Sequence, residues 1–300
     1  MRRALVFGAS GQIGEALCAR LPASDWQVFA VSRQAGRQSS PSLQWLQGEL
    51  PAGVDNPRQV DVIFSCGPLD RFSVWYAQST IVCPRVIAFG STSAAVKQAS
   101  PNAEERALSR LLEDSEARIL KAAIARGAGA TLLRPTLIYG AGRDHSLTRI
   151  ADIARHLHTF VLPRGATGLR QPVHVDDLAQ AAHAALDEPR THACTYALPG
   201  GETLAYRDMI SRTLHALQPP ARLLEVPAPL FNLAIWAARL SGRMRGANDA
   251  VVARMRQDLI FDIEPARRDF GYAPRLFKPT ADMFSNAPGH AEQALVRDLR

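Results

Sequence analysis

Three glycines near the start of the chain are spaced to bring a phosphate close to the backbone. They are Gly8, Gly11 and Gly14, which follow an apolar run at 4–7 and precede a helical pattern. Glycine permits a tight turn out of a strand, leaves room for a pyrophosphate and packs a helix closely on the strand. The N-terminus of that helix adds unsatisfied N–H groups and a partial positive charge. The stretch predicts a dinucleotide-binding loop made of Gly8, Ser10, Gly11, Gln12, Ile13 and Gly14.

The end of the next apolar run indicates which dinucleotide is bound. Residues 28–31 are followed by Ser32 and Arg33, at a position where dinucleotide-binding proteins that prefer NAD carry a carboxylate. A carboxylate repels a 2′-phosphate, whereas arginine pairs with it. Arg33 therefore favours NADP as the cofactor, with NAD as the alternative. The other interpretation is that Arg33 is one more solvated arginine.

The elements that must hold these residues alternate along the first half of the chain. Helical patterns, including a long one at 103–126, separate short apolar runs at 4–7, 28–31, 60–64, 86–89 and 130–133. Such alternation builds a parallel sheet with helices on both faces. We therefore predict an α/β fold with a doubly wound parallel sheet of the Rossmann type, over residues 1–139 and about 171–197. Residues 140–170 and 198–300 are predicted to form a smaller, mostly helical substrate domain.

The composition limits the class of protein. The 300 residues are 47% hydrophobic, enough for a substantial core, and the net charge of +7 comes from arginines spread along the chain. Dispersed arginines suit small anionic molecules better than nucleic acid, for which basic residues cluster on one element. Four cysteines without metal-ligand spacing predict no disulfide framework and no metal site. Because no signal sequence or long apolar run is found, we expect a cytoplasmic protein without a transmembrane helix.

Three motifs together carry a resemblance to a known family: GASGQIG at 8–14, LLRPTLIYGAGRD at 132–144 and LRQPVHVDDLA at 169–179. In order and spacing they resemble the extended or atypical short-chain dehydrogenase/reductase superfamily, in the NAD-dependent epimerase/dehydratase branch that acts on nucleotide sugars. The resemblance implies that Glu49, in place of the usual aspartate, and Leu50 lie at the adenine. It implies further cofactor contacts from Ser65, Cys66, Gly67, Ser91, Pro135 and Leu137. It also implies substrate contacts from Arg143, Arg170 and His174.

For the third motif a plainer interpretation remains open. His174, Asp176 and Asp177 stand where a strand ends and a helix starts, so an acidic helix cap alone accounts for the aspartates.

The catalytic pair that the resemblance implies is missing. The family uses a tyrosine that transfers a proton and, four residues later, a lysine that lowers the pKa of that tyrosine. The residues four positions after the five tyrosines are Thr80, Arg143, Gly200, Ile210 and Leu276. If Glu116 matches the family's glutamate beyond the lysine, Leu108 and Leu112 stand in place of the pair. Two leucines cannot carry a proton.

Three other residues are candidates for the missing acid or base. Thr92 best matches the family's catalytic hydroxyl, Lys97 follows it in the loop, and Tyr139 stands near the end of the second motif. The alternative is that residues 91–93 are a polar strand end and that Lys97 is solvated.

A basic amphipathic segment at 229–246, PLFNLAIWAARLSGRMRG, has two interpretations. It could make peripheral contact with an anionic membrane, which would suit a lipid-linked sugar substrate. More commonly, such a segment packs its apolar side on the core and leaves its arginines for a diphosphate. We favour the second interpretation.

Together these features predict an NAD(P)-dependent oxidoreductase or isomerase, similar to epimerases and dehydratases, with an atypical active site. The expected substrate is a small anionic molecule, either a nucleotide sugar or a lipid-linked sugar, and a homodimer is the expected assembly. The competing hypothesis is a non-catalytic dinucleotide-binding sensor or assembly protein. The absent tyrosine and lysine favour it, whereas the well-formed LRQPVHVDDLA segment weighs against it.

Overall fold

The computed structural model describes residues 1–55, 57–231 and 254–285. These residues fall into two compact units. Unit 1 contains Met1–Thr136, Val175–Pro199 and Asp262–Pro274. Unit 2 contains the described residues of Leu137–His174, Gly200–Phe261 and Arg275–Arg300.

The strands of the described chain are numbered in sequence order. They are β1 (Arg2–Phe7), β2 (Trp26–Ser32), β3 (Leu43–Glu49), β4 (Gly53–Val54), β5 (Val62–Ser65), β6 (Arg85–Phe89), β7 (Gly129–Pro135), β8 (Ile138–Tyr139), β9 (Thr159–Pro163), β10 (Leu169–Arg170), β11 (Val173–His174), β12 (Cys194–Leu198), β13 (Leu204–Ala205) and β14 (Arg222–Val226).

The helices are numbered in the same way. They are α1 (Gln12–Cys18), α2 (Leu69–Gln78), α3 (Ser93–Val96), α4 (Ala103–Ala125), α5 (Leu147–Leu157), α6 (Val175–Ala184), α7 (Tyr206–Ala216) and α8 (Glu264–Phe270), with 3₁₀ turns at Pro189–Thr191 and Ala281–Phe284. Within the described ranges, no helix is both long enough and apolar enough to cross a bilayer.

One sheet forms the centre of unit 1, in the order β12-β7-β6-β5-β1-β2-β3-β4. Its first seven strands are all parallel, and only the short β4 runs antiparallel at the edge. The chain leaves β1 toward β2 on one side and later returns to β5 on the other. In open α/β sheets the crevice at such a reversal, beyond the carboxyl ends of the strands, is where ligands bind. The prediction of a doubly wound parallel sheet is confirmed.

The strands at the centre of this sheet are covered on both faces, which explains their continuous apolar runs. Every residue of β5 and β6 is buried. On one face Phe7 of β1 contacts α2, with ring centroids 4.4 Å from Trp75 and 5.5 Å from Phe72. Helix α2 is not among the elements expected from the sequence, although Phe72, Trp75 and Tyr76 have the spacing of one helical face and are all buried.

The described residues of unit 2 include short strand pairs and the helices α5 and α7. Strand β14 pairs with β9 and β11 with β8, both parallel, while β13 pairs with β10 antiparallel. Helices α5 and α7 contribute Leu147, Ala151, Met209 and Ile210 to one apolar cluster, which Phe277 also joins. Tyr139 of the second sequence motif belongs to this cluster, and Leu137 packs against it.

The boundary between the units differs from the sequence-based division. Residues 262–274, expected in the substrate domain, return to unit 1 and cover its edge strand β12. The Tyr196 hydroxyl of β12 donates to Asp269 Oδ2 at 2.8 Å, and the Tyr272 hydroxyl donates to the Pro199 carbonyl at 2.8 Å. The Phe270 ring meets the Tyr196 ring edge-on, with centroids 5.1 Å apart. An edge strand gains protection from such a cover, and no local sequence pattern announces it.

Residues 232–253 of the predicted substrate domain lie outside the described residues. Of the basic segment 229–246, the described structure reaches only 229–231.

Candidate active site

The turn between β1 and α1 brings two stretches of backbone into contact. Gly8 has a φ of 70°, and a Cβ added there would lie 2.7 Å from the Gly67 nitrogen and 2.8 Å from the carbonyl carbon of Cys66. A Cβ on Gly14 would meet the Gly8 carbonyl oxygen. Gly11, whose amide donates to that same oxygen at 2.9 Å, closes the turn. Only glycine fits at Gly8 and Gly14, so no side chain there stands between the loop backbone and a ligand.

Two buried polar atoms beside this loop have no hydrogen-bond partner within the described structure. They are Ser65 Oγ and Gln12 Oε1. Ser65 is fully buried at the end of β5 and pairs in register with Phe7, directly before the loop, while Gln12 opens α1. A buried polar group without a partner costs about 1–3 kcal/mol. The glycine cradle and these two atoms fit a bound polar ligand such as a dinucleotide.

The Cys66 thiol, between Ser65 and Gly67, is not reactive. Burial raises the pKa of Cys66 well above its ordinary value, and burial raises that of Cys18 on α1 to about 12. Both thiols therefore stay protonated near neutral pH, and a thiolate nucleophile is not available from them. Cys66 contributes backbone to the crevice and no covalent chemistry.

Charged side chains gather at the carboxyl ends of β2 and β3. Arg33 lies with one guanidinium nitrogen 3.9 Å from Glu49 Oε1, and Arg71 from α2 reaches the same oxygen at 3.1 Å. Beside them Ser32 is buried, and its hydroxyl lies 3.4 Å from the hydroxyl of Ser10 in the glycine loop. The structure thus places Arg33, Glu49 and the glycine loop on one edge of unit 1. Leu50, the neighbour of Glu49, is partly buried against the core.

The end of β6 carries the hydroxyl candidates. Thr92 is buried, and its Oγ1 donates to the Pro135 carbonyl at the end of β7 at 3.2 Å. The Ser91 hydroxyl accepts from the amide of Ser93 at 3.1 Å. The Thr92 oxygen keeps lone pairs that can accept a hydrogen bond from a substrate hydroxyl, but its own proton is already used.

Lys97 is not the solvated lysine of the alternative interpretation. Its ammonium lies 3.6 Å from Glu105 Oε1, with side chains only 22% and 17% exposed. Glu105 also accepts from the Ser100 hydroxyl at 2.7 Å. In this ion pair Lys97 places a positive charge in the loop after β6.

Helix α4 presents leucines where the resemblance implies a tyrosine and a lysine. Glu116 of α4 is buried and forms a bidentate ion pair with Arg134 of β7. A Cβ on Gly90, directly after β6, would lie 2.8 Å from Glu116 Oε1, so Glu116 sits at the carboxyl edge of the sheet. Leu112, one turn earlier, packs partly buried on the core, and Leu108, two turns earlier, is 38% exposed. No proton carrier stands at either position.

The remaining candidates lie in unit 2, where they pack in its core. Tyr139 is 1% exposed, with its ring centroid 5.1 Å from that of His174 and 4.9 Å from that of Phe277, both edge-on. His174 is buried as well, and a Cβ on Gly140 would run into its ring. The structure gives Tyr139 a packing role. Leu137 is partly buried against the same core, and Arg143 lies in the loop before α5.

Arg170 is committed to the chain itself. Its guanidinium donates to the carbonyls of Leu169 and Gln257, both at 2.7 Å, and of Arg254 at 2.5 Å, and it lies over the Tyr206 ring. Burial lowers the pKa of Arg170. An arginine that already serves three carbonyls holds the segment 254–257 in place, and this accounts for its burial without a substrate.

Two residues near the carboxyl ends of the unit 1 strands were not identified from the sequence. Arg71 and Glu105 have no motif around them that marks a ligand site, because each gains its importance from a strand or loop far away in sequence. Helix α2 begins shortly after Gly67, and Arg71 lies in its first turn, close to the ends of the sheet strands. That signal depends on the strand order, which the sequence alone does not supply.

Comparison with known proteins agrees with this architecture. Residues 83–197 match the model of the NAD dependent epimerase/dehydratase family. A 2-alkyl-3-oxoalkanoate reductase of Stenotrophomonas maltophilia is 24% identical over 91% of this chain and 94% of its own length. The uncharacterized protein y4nG of Sinorhizobium fredii is 26% identical over 92% of this chain and 75% of its own length.

Solved structures of low sequence identity share the fold. The epimerase Mth375 of Methanothermobacter thermautotrophicus superposes with a TM-score of 0.68 at 12% identity, covering 99% of this chain and 94% of its own. A UDP-glucuronic acid 4-epimerase of Bacillus cereus, in complex with NAD, gives a TM-score of 0.67 at 15% identity, covering 94% of both chains. The resemblance that the motifs indicated is thus matched by the family model over residues 83–197, and the solved structures share the fold.

Proposed function

We propose that this epimerase/dehydratase-like chain of the extended short-chain dehydrogenase/reductase superfamily is an NAD(P)-dependent oxidoreductase or isomerase. The observation that carries the proposal is the β1–α1 turn, where Gly8 touches the Cys66–Gly67 backbone beside the unsatisfied Ser65 hydroxyl. This arrangement costs stability unless a ligand uses it. Glycine permits both the positive φ of Gly8 and the close approach of a ligand to the loop backbone.

In this proposal the residues at the carboxyl ends of the unit 1 strands have separate roles. The glycine loop and Ser65 hold the dinucleotide, and Arg33 favours the 2′-phosphate of NADP, with NAD as the alternative. When bound, the nicotinamide exchanges a hydride with a substrate carbon. Thr92 accepts a hydrogen bond from the substrate hydroxyl, because its own proton is held by Pro135. In the loop after β6, Lys97, which is held by Glu105, is the side chain proposed to donate a proton.

The substrate class follows from charge and from the relatives. An arginine-rich chain with a net charge of +7 suits an anionic substrate. The fold neighbours include MoeE5 in complex with UDP-glucose and NAD, whereas the reductase relative is named for an oxoalkanoate, a carbonyl acid. We propose nucleotide sugars as the first substrate class to test and 3-oxo acids as the second. Both classes combine a negative charge with an oxygen at the reacting carbon.

A second candidate function is that of a dinucleotide-binding sensor or assembly protein without catalysis. Leu108 and Leu112 on α4 favour it, because neither side chain can move a proton and Leu112 is built into the core. Such a protein would bind the cofactor and change no substrate.

The first experiment is a fluorescence titration of the purified protein with NADPH and with NADH. It is repeated in the presence of UDP-, GDP- and dTDP-sugars and of a 2-alkyl-3-oxo acid, while the nicotinamide absorbance is followed and the products are separated by chromatography. Cofactor binding with a substrate-dependent change supports the enzyme. Binding with no change in any arm favours the sensor. Failure to bind either dinucleotide refutes both candidate functions.

A further inference from the structure

Three charged side chains at the carboxyl ends of β2 and β3 form a cluster that the proposed function uses only in part. Glu49 shares one oxygen, Oε1, between Arg71 at 3.1 Å and Arg33 at 3.9 Å. Their side chains are 55%, 49% and 65% exposed, so all three are open to a ligand from solution. We call Arg33, Glu49 and Arg71 the Glu49 cluster.

Stability alone does not explain the position of Arg71. It lies in the first turn of α2, where the partial positive charge of the helix N-terminus disfavours a cation. Its ion pair with Glu49 is solvent-exposed, and such pairs contribute little to folding. Asp70, its neighbour, has the charge that a first turn favours. The position of Arg71 near the end of β3 is therefore slightly unfavourable for the stability of α2.

The geometry shows that two guanidinium groups can reach one oxygen. A group that carries more negative charge than a carboxylate, and more acceptor oxygens, can bind both arginines better than Glu49 does. A phosphate monoester fits this description, with about −1.5 to −2 charges at neutral pH and three acceptor oxygens. Arginine forks bind phosphate oxygens in pairs, which a single carboxylate oxygen shared between two arginines does not allow.

We propose that Arg71 is a second arginine for the 2′-phosphate of NADP, and that Glu49 holds both arginines before binding and opposes the phosphate with its own charge. This inference rests on the proposed function, since it concerns the same dinucleotide site. Arg33 alone would make a simple preference for NADP. With Glu49 between the arginines, the preference becomes a competition between a fixed carboxylate and the incoming phosphate, and removing the carboxylate charge strengthens NADPH binding.

The test compares affinities of the full chain by isothermal titration calorimetry. The ligands are NADPH, NADH and adenosine 2′,5′-bisphosphate, which carries the 2′-phosphate without the nicotinamide. The variants are Arg71→Met, Arg71→Lys and Glu49→Gln, each a half-exposed position at which the fold has little to lose. Arg190→Met is the matched control, because Arg190 is an exposed arginine 4.0 Å from Glu188 in the 3₁₀ turn before β12.

A charge-assisted hydrogen bond predicts a loss of roughly tenfold or more in affinity when its donor is removed. We expect Arg71→Met to weaken NADPH and adenosine 2′,5′-bisphosphate by that factor and to leave NADH nearly unchanged, with Arg71→Lys between the two. Glu49→Gln should tighten NADPH relative to NADH, whose own affinity reports any change in the adenine contact that the resemblance implies for Glu49. Arg190→Met should change none of the affinities.

Each contrary result has a distinct meaning. Unchanged NADPH affinity in Arg71→Met, or equal losses for NADPH and NADH, overturns the role of Arg71 and leaves the proposed function standing. NADPH affinity that does not rise in Glu49→Gln overturns the role of Glu49. A native protein that binds neither dinucleotide overturns this inference together with the proposed function.

Discussion

Replacing the buried Arg85 with methionine should destabilise the protein more than any change of an exposed arginine. Arg85 opens β6 and is only 5% exposed. It forms no ion pair with a carboxylate within the described residues, and burial lowers the pKa of its guanidinium to about 10. Its donors are instead taken up by hydroxyls and carbonyls, at 2.7 to 3.5 Å: Thr131, Thr191, Leu186, Ala185, Gly129 and Val86.

The size of the effect follows from what each acceptor loses. The hydroxyls keep other partners, since Thr131 donates to the Thr191 carbonyl at 2.7 Å and Thr191 donates to the Glu188 carbonyl at 2.8 Å. The carbonyls of Leu186 and Gly129 lose a charged donor. At about 1–3 kcal/mol for each of these two buried acceptors left unsatisfied, the loss is about 2–6 kcal/mol. Relief from burying a charge offsets part of it, so we expect about 3 kcal/mol.

The assay is urea unfolding at neutral pH, with the free energy of unfolding taken from the midpoint and an unchanged slope. The matched control is Arg126→Met, since Arg126 also donates to two carbonyls, of Ala77 at 3.2 Å and Ser79 at 2.6 Å, but at an exposed site. We expect less than about 1 kcal/mol there. If Arg85→Met costs no more than Arg126→Met, the buried hydrogen bonds do not stabilise the fold and the reasoning is refuted.

Three further changes test the site and the surface. Gly8→Ala should lower the free energy of unfolding by about 2–4 kcal/mol and weaken dinucleotide binding, because the new Cβ meets neighbouring backbone at a residue with a positive φ. The control is Gly36→Ala, where φ is 76° but no atom lies near the added Cβ; it should cost only about 1–2 kcal/mol in urea unfolding. Thr92→Val should abolish turnover at nearly unchanged NADPH affinity, whereas Thr213→Val, which removes a buried hydroxyl bonded to a carbonyl of α7, should leave turnover intact; equal turnover in both variants would make Thr92 structural. Asp187→Asn should cost below about 1 kcal/mol at pH 7. The hydrogen bonds from Arg2 hold the pKa of Asp187 below the ordinary 3.8, so the deficit should shrink as pH falls below 3.8 towards the folded pKa; a deficit in urea unfolding that keeps its full size at pH 3 would contradict the ion pair.

The sheet and the glycine loop could be predicted because their signals are local. Fully buried strands give unbroken apolar runs, and Gly8 and Gly14 mark a turn where backbone meets backbone. The second and third motifs, which are also local signals, lie within the residues that match the family model. The contacts proposed for cofactor and substrate at individual residues stay predictions.

What the sequence could not supply depends on contacts between distant segments. The short helix α2 between two strong strand signals escaped notice, and with it Arg71. Glu105 acquires its meaning only when α4 brings it to Lys97. The return of 262–274 to β12 rests on Tyr196 and Asp269, seventy-three positions apart. Two of the three carbonyl acceptors of Arg170 lie more than eighty residues later in the chain.

The packing of Leu112 has a consequence for how this protein can change over generations. A lysine at that position would exchange apolar contact with the core for an ammonium that has to reach water. A tyrosine at Leu108, which is 38% exposed, gains little without that lysine, because an isolated phenol stays protonated at neutral pH. The first step back to a tyrosine–lysine pair therefore costs stability or brings no benefit. Natural variants of this chain should retain apolar residues at Leu112 and alter their chemistry at Thr92, Lys97 or the cofactor arginines instead.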